Sequence, residues 1–186
     1  MTGTIVQTDV KAVKSTTSSL QPTDITSMAE TILSQALEFC AQKLALDGSQ
    51  CVVNHLQQDD HTTYRYWRYG LAKRAAECLG ALDEDIEAVY IYDYDATPDD
   101  VCFAEVASDT LIHLIIRAQR KTAALNAVIE ALDHAMVEAH IDLLGTHQLK
   151  YLLDAQMVDD HDVEHRLGYG ALFSSLHHRP LMLWKR

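Results

Sequence analysis

Two pairs of carboxylates follow apolar runs in this chain: Asp93-x-Asp95 after VYI, and Asp159-Asp160 after QMV. Hard divalent cations take carboxylate oxygens and keep open water positions, so an acid pair at a strand end suits Mg²⁺ or a similar ion. Two such pairs on neighbouring strands would form one centre for phosphoryl chemistry. His161 and His165 come next, four residues apart. On a helix they share a face, and two imidazoles at that spacing chelate Zn²⁺ or another transition metal. A catalytic site needs a third ligand. His134, His140, His147 or an acid would have to supply it, and no HExxH motif occurs. Arg68 is the basic residue of most interest. On a helical wheel it falls inside the stripe Tyr64, Trp67, Leu71, Ala75, Cys78 and Leu82, where an inward guanidinium receives a phosphate or carboxylate.

Each feature has a plainer reading. The acids suit turns and strand ends in an acidic protein. The histidine pair suits a solvated, charged helical turn. Arg68 suits pairing with an internal acid such as Asp93, because a buried guanidinium needs a carboxylate partner. His113, inside an apolar strand, and His140, beside an apolar helical stripe, read as buried and hydrogen-bonded. The DYDAT stretch resembles the DxD of aspartate-nucleophile phosphatases, and MVDD resembles their late acid pair. The chain departs from that pattern in three ways. No Gly-Thr follows Asp95, the next apolar run ends in Arg117, and short connections conflict with the parallel sheet such enzymes require. There is no GxSxG elbow, P-loop or GxGxxG motif, so nucleotide binding by those loops is not expected.

The elements that must position these groups follow from periodicity. Ala29, Ile32, Leu33, Ala36, Leu37, Cys40 and Leu44 recur at helical steps, which predicts a first helix starting near Thr23 or Asp24. Ser27 and Glu30 are spaced for a capping box, and Asp47-Gly48 marks the end. A short CVV run at Cys51 reads as a strand stub before a QQDDHTT loop. A second helix is expected over 63–82. AVYIYDYD alternates as a strand, with Val89, Ile91, Asp93 and Asp95 on one face and Tyr90, Tyr92 and Tyr94 on the other. Thr97-Pro98-Asp99-Asp100 reads as a turn, VCFAEV as a second strand, and TLIHLIIRA as the most apolar strand. A third long helix starts near Lys121 or Thr122 and stops at Gly145. YLLDAQMV and PLMLW read as further strands.

With 186 residues the chain is sized for one domain. The Ser/Thr-rich stretch 1–22 is expected to be a flexible tail, and 23–186 a single α+β domain. The expected architecture has two layers. Three main helices pack on a mostly antiparallel, or mixed, sheet of about four to five strands. Lys and Arg number 15 against 27 Asp and Glu, a net charge of −12. That argues against nucleic acid or a membrane as partner of the whole surface, while leaving room for a local basic patch. Cys40, Cys51, Cys78 and Cys102 form no CxxC pair and read as reduced thiols in a cytoplasmic protein.

No complete catalytic constellation emerges. The expectation is a soluble, non-enzymatic interaction or regulatory module acting as a homo-oligomer or on a protein partner, with the broad apolar helical stripes as its interface. The alternative is a metal-dependent enzyme acting on a phosphorylated or anionic small molecule. Asp93, Asp95, Asp159 and Asp160 would hold Mg²⁺ or another divalent metal, and Arg68 would steady the anion.

Overall fold

The structure is a computed structural model and describes residues 22–92, 96–97, 100–101, 111–145, 149–176 and 179–186. Stretch 1–21, Asp93, Asp95, Cys102, most of VCFAEV and the turn before Thr110 lie outside the described residues. The elements run α1 (Pro22–Leu44), α2 (Ser49–Gln57), α3 (His61–Leu82), β1 (Ile86–Ile91), β2 (Ala96–Thr97), β3 (Asp100–Val101), β4 (Ile112–Ala118), α4 (Ala123–Leu144), β5 (Leu153–Val158), α5 (Asp160–His165), a 3-10 segment (Gly168–Ser174) and β6 (Leu181–Lys185).

The long helices form where apolar spacing and caps agree. In α1 the stripe from Ala29 to Ala41 is buried, and the helix packs on α3 and α4. Gly70 of α3 lets α1 come close. A Cβ there would stand 3.3 Å from Ala36 and 3.1 Å from the Phe39 ring. Asp60 caps α3, accepting from the Thr62 amide and the Thr63 hydroxyl. These bonds and the His55 ring hold its carboxyl down at about 2, the His55 contact being the strongest. Thr122 caps α4, and Gly145, at φ 72, closes it in the left-handed conformation that suits glycine. The Ser27–Glu30 pair does not cap. Ser27 lies inside α1, where its carbonyl accepts from the Thr31 hydroxyl.

The expected strand stub at Cys51 is helical instead. Val52, Val53 and Leu56 are buried at helical spacing in α2, a period that a three-residue apolar run is too short to reveal. The main sheet has four strands in the order β5-β4-β1-β6. It is mixed, the second of the two expected arrangements, rather than purely antiparallel. β1 pairs antiparallel with β4 and β6, but β5 runs parallel to β4. The reason is α4, which carries the chain back along the sheet so that the next strand repeats the direction of β4. β2 and β3 pair only with each other.

Ile86, Val89, Ile91, Ile112, Leu114, Ile116 and Ala118 face the helices and form the core with them. The opposite face carries Tyr90, His113, Ile115, Arg117, Asp154 and Gln156, following strand alternation. The chain between β5 and β6 crosses this second face. Phe173 meets Tyr90 edge-on at 4.8 Å and Tyr169 meets Tyr92 at 5.3 Å, and Ile115 is fully buried. The 3-10 segment thus adds part of a third layer to the two expected. No helix among the described residues is long and apolar enough to cross a membrane.

Candidate functional site

The second sheet face holds a connected set of polar and aromatic side chains, at the end where β1 stops and β4 and β5 begin. His113 stands directly opposite Asp154 in the parallel register of β4 and β5. Its Nδ1 lies 3.0 Å from Asp154 Oδ2. The Tyr92 hydroxyl donates to the same oxygen at 3.3 Å, and Gln156 Nε2 donates to Oδ1 at 2.7 Å. Burial works to raise the Asp154 carboxyl, but the bonds from Gln156, His113 and Tyr92 outweigh it and hold the group below the usual carboxylate range. Burial, then the Tyr169 hydrogen bond and the Asp154 charge, push the Tyr92 phenol well above its ordinary value. Asp154 is therefore an anion in a hydrogen-bonded cage walled by two tyrosine rings. Such a cage presents fixed donors and acceptors to a polar group. Sequence reading found His113 as a hydrogen-bonded strand histidine but passed over Asp154 and Gln156. Their signal was the polar alternation inside YLLDAQMV.

The candidate metal and anion residues do not gather at one place. β4 separates β1 from β5 in the sheet. β1, which leads to Asp93 and Asp95, ends beside His113, where the Tyr92 amide donates to the His113 carbonyl. β5, which leads to Asp159 and Asp160, ends beside Arg117. Four residues of β4 separate those points, about 13 Å at the rise of a strand. Asp93 and Asp95 themselves lie outside the described residues.

Asp159 and Asp160 are engaged in structure. Asp159 caps α5 in a reciprocal box with Asp162, and Lys121 reaches both Asp162 at 2.6 Å and Asp159 at 3.4 Å. The Asp162 amide, then Lys121, hold the Asp159 carboxyl below its usual value against a smaller effect of burial. Asp160 accepts from Arg117 at 2.6 Å, and Arg117 also meets Glu87 at 3.3 Å. Arg68 is inward, as its wheel position implied, and is 5% exposed. Its guanidinium donates to the Leu111 carbonyl at the start of β4.

His161 and His165 share an exposed face of α5 with ring centroids 4.2 Å apart, and His165 Nδ1 bonds the His161 carbonyl at 3.0 Å. Among the described residues, no group of three or more His, Cys, Asp or Glu side chains is placed to hold a metal ion. Cys40 and Cys78 behave as apolar residues, because burial pushes both thiols up to about 11. No protein-family model, curated protein or solved structure matches this chain.

Proposed function

We propose that the chain is a non-enzymatic interaction or regulatory module that binds through the face built by α5, the 3-10 segment and β6. One observation carries this reading. Five large hydrophobic side chains are exposed among the described residues, and four of them, Leu167, Tyr169, Leu176 and Met182, belong to this one stretch. Contiguous exposed apolar surface marks interaction sites. The helical stripes that suggested a homo-oligomer are buried inside the chain, so they call for no second copy.

The test compares the wild type with Leu176→Glu/Met182→Glu, both exposed positions that leave the core intact. Sedimentation of the pure chain reads self-association, and affinity capture from cell extract reads other partners. The expected result is an association present in the wild type and lost in the variant, with an unchanged melting midpoint. Associations identical in the two proteins would overturn the reading.

The alternative, a divalent-metal enzyme for an anionic small molecule, makes a different prediction. A metal bound by the native state raises the melting midpoint. If that reading holds, Mg²⁺ or Mn²⁺ raises the midpoint of metal-stripped protein and Asp93→Asn removes the rise. On the interaction reading neither ion shifts it. A Zn²⁺ response lost in His165→Ala would assign the metal to α5 instead.

A further inference from the structure

All 27 acidic residues stand at or before Glu164, and Arg166, Arg179, Lys185 and Arg186 follow with no Asp or Glu among them. The chain before Arg166 therefore carries −16, and the last segment, at +4, is a basic island that brings the total to −12. The same segment supplies the exposed Leu167, Tyr169, Leu176 and Met182. Packing against β1 brings Tyr169 and Met182 to the second sheet face, and Leu167 and Leu176 flank the segment that carries Tyr169. Tyr169 lies against Tyr92, Phe173 against Tyr90, and Met182 stands across from Tyr90 in the β1–β6 register. Lys185 stands across from Ala88 in that register. Arg166, Arg179 and Lys185 are exposed. The Arg179 Nε donates to the Ser175 carbonyl. Arg186, also exposed, is anchored to the carbonyls of Ile86, Gly80 and Asp83, at the end of α3. The acids near this surface are engaged, Asp154 by His113, Tyr92 and Gln156, Asp160 and Glu87 by Arg117 and Asp162 by Lys121, while Glu164 is exposed two residues before Arg166.

We propose that this surface docks a short acidic polypeptide segment with interspersed apolar side chains, presented by a partner protein. The proposal rests on the interaction reading above and names its partner. Charge complementarity sets the sign of the occupant, and the exposed Leu, Met and Tyr side chains ask for apolar contacts between its charges. Size follows from screening. At physiological salt a local patch acts over about 8 Å, so a short segment feels the island alone. A duplex or an anionic bilayer also faces the acidic remainder and is repelled. A symmetric dimer through this patch would set basic residues against basic residues. β6 is the sheet edge, but Lys185 and the irregularity at Val89/Tyr90 blunt it against strand addition, so the occupant lies on the face.

The experiment is fluorescence anisotropy of a labelled synthetic peptide of alternating Glu and Leu, titrated with the full chain at low and high salt. A Lys/Leu peptide, phosphatidylserine vesicles and the unlabelled chain itself run in parallel. The expected result is binding of the Glu/Leu peptide alone, weakened by salt and weakened about tenfold or more in Arg166→Glu/Lys185→Glu. It should also weaken in Leu176→Ala, whose side chain is 83% exposed and supports no core. Equal binding of the Lys/Leu peptide, or affinity unchanged by charge reversal, overturns the proposal. Vesicle binding or self-association lost in Leu176→Glu, without peptide binding, overturns the acidic partner but keeps the interaction face. Leu176→Glu leaving every association unchanged overturns both.

Discussion

His140 shows how one side chain sets a property of the whole protein. It is 3% exposed, its ring lies 6.4 Å from that of Trp67, and both ring nitrogens are buried without a hydrogen-bond partner among the described residues. Burial lowers it from 6.5 to about 4, so the folded state holds it neutral while the unfolded chain protonates it. Because the unfolded state binds more protons below the ordinary histidine value, stability falls as pH drops from about 6.5 to about 4. At 1.36 kcal/mol per unit the loss is about 3 kcal/mol. Urea unfolding at neutral pH and near pH 4 should show it, and His140→Leu should flatten it. An undiminished slope in that variant would place the acid sensitivity elsewhere. Asp60, held at about 2, contributes in a separate window. Its stabilisation is present above the ordinary Asp value and is lost below it, as pH falls toward about 2.

At the scale of elements, α3 and β6 meet through one glycine. A Cβ on Gly80 would collide with the Trp184 indole ring. Alanine has the better helix propensity by about 1 kcal/mol, yet overpacking costs about 1–3 kcal/mol, and the ring cannot withdraw while β6 is paired. Gly80→Ala is expected to destabilise by about 2 kcal/mol, and adding Trp184→Leu should recover part of the loss in a double-mutant cycle. Additive losses would mean that the two residues do not press on each other. α5 makes the same point about legibility. Asp159 reads in the sequence as a metal ligand or a turn residue. Its reciprocal capping bonds with Asp162 are local, three residues apart, but the Lys121 contact depends on β4 and β5 lying side by side, and no local pattern announces that.

For the whole molecule, the described core draws on every long element from α1 to β6, and none of its buried residues precedes Ala29. A chain beginning at residue 22 is expected to keep its melting midpoint within about 2 °C, since 1 kcal/mol in a protein of this size moves the midpoint by about 2–4 °C. A larger fall on calorimetry would show that stretch 1–21 contributes to the fold.

What the sequence determined by itself was local. The long helices and their stripes, the Thr122 and Gly145 ends of α4, the strands at β1, β4, β5 and β6, and the inward place of Arg68 all follow from period and capping, which neighbours in the chain dictate. Tertiary structure decided the rest. The parallel placing of β5, the distance along β4 between the two acid-bearing strand ends, the His113–Asp154–Tyr92 cluster and the packing of Tyr169, Phe173 and Met182 against Tyr90 and Tyr92 all join residues far apart in the chain. Strand order and direction set those meetings, and a periodicity of two carries no information about which strand lies alongside.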